Sequence, residues 1–374
     1  MISREDVTSL MESDPEGRTI VSVFLDMSVN SDNKRTYSVF LNKERSRREA
    51  PDADPAAPSR DVMADVLGRV EAWIETEFDE GSRGVAAYVD LDGSWMRVLQ
   101  LPVPLENRIT VAERPSVAPL LEVMNAFHHH GVVLVDREHL RMLSLYMDQA
   151  VREVRVDTEP FPAPHDVQRG GYSQKGYQSR KEEETRHFFK DFAAEVERFV
   201  TRFRPDDLIL LGTDENVKKF KEFLSPSLRE KVVHTAHAPV EATPKQVTER
   251  LDQFFRAQVE DEAARAVHIL RDRVEQHHRA TSGFHRTLQQ LQEGKVETLV
   301  LGRGVERKGA RCEKCSFLLV RRDSPCPYCG GEVRNGIDLT EEMVRIAAEQ
   351  EVPVEFVPAE ALADLDGVGA LLRF

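Results

Sequence analysis

Four cysteines constrain the fold of this chain more than any other feature, because they all lie between positions 312 and 329. Their spacing is Cys312-x2-Cys315-x10-Cys326-x2-Cys329, which is typical of two metal-binding knuckles joined by a short hairpin. Four thiolates complete a tetrahedral site for one Zn²⁺ and leave no position for water, so the predicted zinc is structural rather than catalytic. The sequence therefore predicts a zinc ribbon over 310–332.

Two other interpretations of the cysteines stay open at this point. The four thiols can be unrelated buried side chains or form two disulfides, and iron can take the place of zinc. The same stretch is locally basic, with seven Lys or Arg between 303 and 322 against Glu306 and Glu313. Such a charge either contacts RNA phosphates or an acidic protein, or is only the solvated face of a small hairpin.

Composition excludes several classes of protein. A chain of 374 residues with 40% hydrophobic and 31% charged residues is long enough for two or three globular domains. No apolar run approaches the ~20 residues of a membrane span, and the first residues are acidic and polar, unlike a secretory signal. We therefore expect a cytoplasmic protein without a membrane partner. The net charge of −14 argues against indiscriminate binding to nucleic acids, although it allows local basic surfaces.

Strands and helices alternate along the chain, which predicts an α/β fold in three domains, each a mixed sheet with helices. We place the N-terminal domain at 1–117, the central domain at 118–242 and the C-terminal domain, which carries the ribbon, at 243–374. A Phe-lined helix is predicted from Arg180 to Phe203 in the central domain, after a long loop that ends near Lys181. Another long helix is predicted to begin at Thr243-Pro244.

The central loop contains the sequence Gly-Gly-Tyr-Ser-Gln at 170–174. Paired glycines adopt backbone angles that are closed to other residues, so such a loop fits a narrow RNA cavity, and a glutamine amide can orient a water molecule. The candidate catalytic residues are Gly170, Gly171, Ser173 and Gln174. The candidate RNA-binding residues are Arg169, Lys175, Arg180 and Lys181. A mobile surface loop without any partner is the alternative.

Other motifs are weaker. The histidine runs at 128–130 and 277–278 lack metal-binding spacing, and we expect both on the solvated surface. The chain contains neither a GxxxxGK[ST] loop nor a GxSxG elbow, so classical nucleotide hydrolysis and serine-esterase chemistry are unsupported.

Taken in order, the glycine loop, EETRHFFKDFAAEV at 183–196, DDLILLGTDENVKKF, VETLVLG and GVGALLRF resemble the archaeal and eukaryotic class-I peptide release factors, Pelota, and the bacterial branch of that superfamily. The resemblance covers roughly 118–374, and archaeal members carry a thiolate zinc site where these cysteines fall. It implies a three-domain release-factor architecture whose third domain is similar to a kink-turn-binding ribosomal protein.

The resemblance also implies a function. Family members place the central loop at the peptidyl-transferase centre, where a Gly-Gly-Gln tip positions water against the ester of peptidyl-tRNA. The Gly-Gly-x-Ser-Gln sequence here departs from that tip and is more similar to the loop of mitochondrial-stress peptidyl-tRNA cleaving factors. Gln174 is then the group that orients the nucleophile, and Arg169 and Lys175 contact phosphates.

Three functions follow from the resemblance. The first is ribosome rescue by peptidyl-tRNA hydrolysis in the A site. The second is hibernation, in which a factor similar to Balon occupies the same site without catalysis. The third is an RNA or ribonucleoprotein binding module. No NIKS-type reader is present in the N-terminal domain, so codon-specific termination is not expected. The implied partners are the ribosome with its rRNA and peptidyl-tRNA, and a delivering translational GTPase, and the resemblance favours a monomer.

Overall fold

A computed structural model describes residues 4–12, 18–30, 34–47, 58–147, 149–157, 174–321 and 325–374. The chain forms two compact units. The central unit is continuous and comprises 127–255, whereas the other unit combines 1–126 with 256–374, and we call it the discontinuous unit. Its mixed sheets and helices confirm the predicted α/β class. The predicted domain boundaries at 117/118 and 242/243 stay a prediction.

The N-terminal part of the discontinuous unit is a four-stranded sheet of order β3-β2-β1-β4 covered by helices. Its elements are α1 (Arg4–Glu12), β1 (Ile20–Asp26), α2 (Tyr37–Arg47), α3 (Arg60–Glu77), β2 (Gly84–Asp90), β3 (Met96–Leu101), β4 (Arg108–Ala112) and α4 (Ala118–Ala126). β1 pairs antiparallel with both β2 and β4. The apolar face of α3 packs on this sheet through Val66, Leu67 and Val70, as its periodicity predicts.

The central unit has a five-stranded sheet of order β7-β6-β5-β8-β9, in which β5, β8 and β9 are parallel. Its elements are β5 (His130–Val135), β6 (His139–Tyr146), β7 (Gln149–Asp157), α5 (Gln174–Phe203), β8 (Asp207–Gly212), α6 (Asp214–Lys221), α7 (Pro226–Lys231) and β9 (Val232–Ala236). The helix α8 (Pro244–Glu275) begins in this unit and ends in the other. Its predicted start is confirmed, since Thr243 Oγ1 accepts a hydrogen bond from the amide of Gln246 at 3.3 Å.

Both faces of the central sheet are covered, because alternate side chains of its buried strands point into two separate cores. On one face, Val133, Leu208 and Leu210 pack against the phenylalanines of α5. On the other face, Val132 and Leu134 pack against the first turns of α8. The central unit is therefore held together by apolar burial on both sides of one sheet.

The C-terminal part of the discontinuous unit has a second four-stranded sheet, of order β10-β16-β11-β15. Its elements are β10 (Ala280–Ser282), α9 (Phe284–Gln292), β11 (Val296–Gly302), β12 (Lys308–Cys312), β13 (Leu318–Leu319), β14 (Val333–Asp338), α10 (Leu339–Glu349), β15 (Val354–Val357), a 3₁₀ helix (Ala359–Leu365) and β16 (Val368–Leu372). The strands β13-β12-β14 form a separate small sheet between β11 and α10. This small sheet is the predicted ribbon.

The two parts of the discontinuous unit are joined through helix α10. The carboxylate of Glu341 accepts hydrogen bonds from the amides of Val117 and Ala118 and from the hydroxyl of Ser116, at 2.6, 3.2 and 2.7 Å. One turn further along, the buried guanidinium of Arg345 donates to the carbonyl of Pro115 at 2.6 Å. Glu341 thereby caps the first turn of α4 from the other end of the chain.

Segment 115–118 is also hydrogen-bonded to the N-terminal sheet. The Ser116 amide donates to Ser22 Oγ at 3.0 Å, and the hydroxyl of the buried Tyr88 donates to the Ser116 carbonyl at 2.9 Å. Burial raises the pKa of Tyr88 well above its usual range and also raises the pKa of Glu341. A polar network thus connects the N-terminal sheet to α10.

The helices and strands differ in several places from those predicted. Helix α5 begins at Gln174, whereas the loop was predicted to extend to Lys181. Helix α2 and strand β7 were not predicted. Helix α2 was missed because its sequence YSVFLNKERSR has almost no apolar periodicity.

The helices within the described residues are all too short or too polar to span a membrane.

Candidate functional site

The structure brings the four cysteines together at one end of the ribbon. Their sulfur atoms all lie within 4.8 Å of one another. Cys312 Sγ is 3.4 Å from Cys329 Sγ, and Cys315 Sγ is 3.9 Å from Cys326 Sγ. A tetrahedral ion with Zn–S bonds of about 2.3 Å requires sulfur–sulfur separations of about 3.8 Å. The cluster therefore has the size and the donor set of a metal site with four thiolate ligands.

The backbone around the cluster favours the thiolate of one cysteine. The amide of Cys315 points at Cys312 Sγ across 3.5 Å, and this hydrogen bond is the largest cause that lowers the pKa of the Cys312 thiol to about 6. Desolvation and hydrogen bonds with the other thiols raise the pKa of Cys315 to about 12, so one proton is shared unevenly within the cluster. A thiolate that is already favoured near neutral pH is the form that binds metal. No disulfide joins the four cysteines.

Two glycines shape the second knuckle. Gly330 has a φ of +69°, a conformation that glycine adopts without strain. A Cβ atom on Gly331 would lie 2.7 Å from Lys314 Cβ, 3.2 Å from Cys312 Sγ and 3.4 Å from Cys329 Sγ. Glycine at 331 therefore leaves the space into which the sulfurs converge.

Most basic residues before and in the ribbon are already paired with acids of the same unit. Arg303 lies 3.4 Å from Glu122, Arg307 contacts both carboxylate oxygens of Asp366 at 2.7 Å, and Lys308 lies 3.5 Å from Asp338. Arg311 pairs with Glu342, and both side chains are largely buried. Arg303, Arg307 and Lys308 stay 40–58% exposed at the side chain, so both interpretations of the basic stretch stay open.

The candidate catalytic loop falls mostly outside the described residues, which exclude Arg169, Gly170, Gly171 and Ser173. Gln174 is the first residue of α5. Lys175, Arg180 and Lys181 follow in the first turns of the same helix, where only the backbone is described. The roles assigned to all these residues stay predictions.

Helix α5 is firmly anchored behind this loop. Phe189 and Phe192 are buried, and Phe189 makes edge contacts with Phe220 of α6 and with Phe223 at 5.4 and 5.8 Å between ring centroids. Further along, Phe199 and Phe203 lie 5.0 Å apart. The predicted apolar face is confirmed. Because α5 is 30 residues long, its packed C-terminal half supports the turns that follow the loop.

The prediction of a solvated surface for the histidine run at 128–130 was wrong. His130 is 6% exposed, and its Nδ1 lies 2.6 Å from the buried carboxylate of Asp207 on the neighbouring strand β8. Its ring also stacks on Phe255 at 4.7 Å. His129 Nε2 lies 2.6 Å from Ser144 Oγ, and burial lowers the pKa of His129. His277 and His278 are exposed, as expected.

A buried arginine in the central unit was also missed. Arg141 is 2% exposed and makes hydrogen bonds with the Glu153 carboxylate at 2.8 and 3.1 Å. It also donates to the carbonyls of Val240 and Ala242. The alternation of strand β6 places residue 141 on a buried face, and this can be read from the sequence. Its partners could not be predicted, because they lie on β7 and in the segment before α8. These contacts stabilise the unit that carries the loop.

Residues 115–256 match the family described as bacterial archaeo-eukaryotic release factor family 10. Peptide chain release factor subunit 1 of Pyrococcus abyssi is 23% identical in an alignment of length 305 that covers 73% of this chain and 73% of that one. These matches confirm the predicted resemblance to the release-factor and Pelota superfamily in its bacterial branch.

Two solved structures are also similar to the chain. An archaeal translation termination factor is 16% identical, with 100% of this chain and 99% of that one covered and a TM-score of 0.27. Pelota of Archaeoglobus fulgidus is 15% identical, with 78% and 79% covered and a TM-score of 0.35. Scores of this size do not establish a common arrangement of the whole chain, so the relationship depends on the sequence matches.

Proposed function

We propose that this chain is a ribosome-binding translation factor of the release-factor and Pelota type. It enters the A site, places the loop before α5 at the peptidyl-transferase centre and rescues the ribosome by hydrolysing peptidyl-tRNA. The observation that carries the proposal is the position of the family match, since 115–256 contains the whole glycine loop and the helix behind it. A translational GTPase that delivers the factor is part of the same proposal.

The proposed chemistry depends on positioning. Water attacks the ester carbon and the bond to the 3′ oxygen of the tRNA breaks. One proton of the water passes to that oxygen and the other to solvent, so the peptide leaves as a carboxylate. The Gln174 amide orients the water, and paired glycines allow the backbone to approach the RNA closely. No side chain of the loop has to change its protonation state. The packed half of α5 then limits how far Gln174 can move.

The cysteine cluster has a separate role in this proposal, as the site of one structural Zn²⁺. Its four sulfurs fill the tetrahedral positions of the ion, which supplies cross-linking of the two knuckles rather than catalysis. The donor set supports zinc over a hard cation such as Mg²⁺, which prefers oxygen ligands.

One observation favours a second function. The sequence Gly-Gly-Tyr-Ser-Gln has two residues between the glycine pair and the glutamine, unlike the Gly-Gly-Gln tip of the release factors. A loop that occupies the peptidyl-transferase centre without cleavage would make the chain a hibernation factor. The third function, a binding module for RNA or ribonucleoprotein, would use the basic stretch, where Arg303, Arg307 and Lys308 are paired with acids but stay 40–58% exposed.

The test combines sedimentation with a release assay. Purified protein is sedimented with bacterial 70S ribosomes that are empty or hold peptidyl-tRNA, while released peptide is measured. We expect binding and release from the wild type, and a release rate about 100-fold lower for Gln174→Ala with unchanged binding. Gln178→Ala, one turn along the same helix, is the matched control and keeps full release.

Each other result selects a different function. Binding without release from the wild type supports hibernation. Equal release by Gln174→Ala and by the wild type would falsify the role of Gln174. Removal of 166–173, which leaves α5 intact, is expected to abolish ribosome binding, and retained binding would support the RNA-binding module instead.

A further inference from the structure

The ribbon continues directly into helix α10. Strand β14 ends at Asp338, and the helix begins at Leu339 without an intervening loop. The Asp338 carboxylate caps the helix by accepting hydrogen bonds from the amides of Thr340 and Glu341, at 3.1 and 3.3 Å. A change in β14 is therefore a change at the first turn of α10.

The other long strand of the ribbon also contacts this turn. Arg311, next to the ligand Cys312, pairs with Glu342, and the two side chains are 17% and 13% exposed. Gly309 allows β12 to lie against the helix, because a Cβ atom there would be 2.4 Å from a methyl group of Leu339. The ribbon thus contacts the start of α10 through both of its long strands, with no space between them.

The same turn of α10 holds the N-terminal part of the unit. Glu342 faces the ribbon, while its neighbour Glu341 accepts the hydrogen bonds of Ser116, Val117 and Ala118. A second link runs outside the helix, since Arg334 of β14 makes a bidentate ion pair with Glu113. Two independent links therefore connect the ribbon to segment 113–118.

We propose that metal occupancy of the cysteine cluster controls the docking of segment 113–118 on helix α10. This inference rests on the metal site proposed above. Four thiolates that share one ion fix the separation of β12 and β14. Without the ion, the hydrophobic core of the ribbon is too small to keep the two strands in register, because its buried apolar members are few and include the cysteines themselves.

Loss of that register removes the Arg311–Glu342 pair and the cap at Asp338, and Glu341 loses its alignment with the amides of 117 and 118. Thermodynamic linkage makes the effect reciprocal, so weaker docking must weaken metal binding by the same factor. A protein built in this way responds to metal depletion or thiol oxidation by loosening segment 113–118 from α10.

The experiment compares full-length protein loaded with Zn²⁺ and the same protein treated with a zinc chelator. Bound metal is counted first by elemental analysis, and amide hydrogen exchange is then followed along the chain. We expect the amides of Val117 and Ala118 to exchange at least about tenfold faster without metal, a factor typical of coupling between two sites. The amide of Val133, inside the central sheet, reports unrelated unfolding and keeps its rate.

Two variants test reciprocity on the loaded protein. Glu341→Gln is expected to speed exchange at 117 and 118 and to lower Zn²⁺ affinity by an equal factor, measured by competition with a chromogenic chelator. Glu349→Gln changes an exposed residue of the same helix and alters neither quantity. If Glu341→Gln does not fold, Ser116→Ala removes only one of the three hydrogen bonds and gives a smaller change in the same direction.

Protein that binds no metal would overturn both the metal site and the coupling. Bound metal whose removal exposes the amides of the knuckles, such as Gly330, but leaves 117 and 118 protected would overturn only the coupling. Unequal changes in the two quantities for Glu341→Gln would do the same.

Discussion

The ribbon and the central unit each carry one of the two chemical signals of the chain, and they are stabilised in opposite ways. The ribbon has a small core in which two of the four buried residues are cysteines, and in our proposal a metal ion holds it together. The central unit buries phenylalanine and aliphatic side chains on both faces of a five-stranded sheet. A metal site needs only four donors at short range, whereas a loop that acts by position needs a rigid body behind it.

The strongest test of this difference is Cys326→Ser. It removes one thiolate from the cluster, and we expect Zn²⁺ affinity to fall by at least about 1,000-fold, since most of the binding free energy depends on the complete ligand set. The unfolding transition of the central unit should not move. Glu332→Gln, which changes an exposed side chain of the same ribbon, is the control and keeps one bound zinc. A parallel loss of stability in the central unit would show that the two regions are not independent.

The converse change is Phe192→Ala, which empties a position in the core behind the loop. Phe192 is fully buried, and we expect the free energy of unfolding of the central unit to fall by about 3–5 kcal/mol. Chemical denaturation followed by circular dichroism measures this loss, and zinc content should stay at one ion. Lys190→Ala, on the exposed face of the same helix, should change stability by less than about 0.5 kcal/mol. Zinc loss caused by Phe192→Ala would contradict the distinction.

The substitution Glu153→Gln tests the buried ion pair of the central unit. It takes the charge partner from the buried Arg141, and because Glu153 is one-third exposed we expect a moderate loss of about 1–2 kcal/mol. Hydrogen bonds from Arg141 lower the pKa of Glu153, so the wild type loses this stability as the pH falls below 4.5 through the folded-state value. The variant should lack that acid dependence. Glu195→Gln, whose partner Arg198 is exposed, should behave like the wild type.

The smallest expected effect concerns His129. Burial lowers its pKa below the ordinary 6.5, so the unfolded chain takes up the proton more readily. Stability is complete above pH 6.5 and is lost as the pH falls from 6.5 through the folded-state pKa. His129→Gln should flatten this dependence by less than about 1 kcal/mol in thermal unfolding, whereas the exposed His285→Gln should not. An unchanged slope would assign the acid sensitivity to another group.

How much of the structure can be predicted from the sequence depends on how far apart the interacting residues lie along the chain. The cysteine spacing and the phenylalanine periodicity of α5 are local patterns, and the structure has both. The pairs Arg303–Glu122 and Arg311–Glu342 join separate segments, so a count of basic residues did not show which of them have acidic partners. His130 was placed on the surface because its partner Asp207 lies 77 positions away.

The start of α5 shows a different cause of error. Residues Gln174 to Ser179 have no apolar repeat, because that end of the helix has no packing pattern to read. Periodicity detects a helix only where apolar residues recur along its sequence, and the first residues of α5 have no such recurrence. The loop residues before Gln174 carry the proposed function, and there the sequence pattern alone provides the hypothesis.

The hydrogen bond between Glu341 and Val117 spans 224 positions, with the whole central unit in between. At about 5–20 residues per second, a ribosome making this chain needs roughly 10–45 s to synthesise that interval. The Val117 amide therefore emerges long before its acceptor exists, and the central unit has time to fold first. Throughout this interval the N-terminal sheet lacks its contacts with α10. Synthesis rate and chaperone access are therefore expected to affect the yield of the discontinuous unit more than that of the central unit.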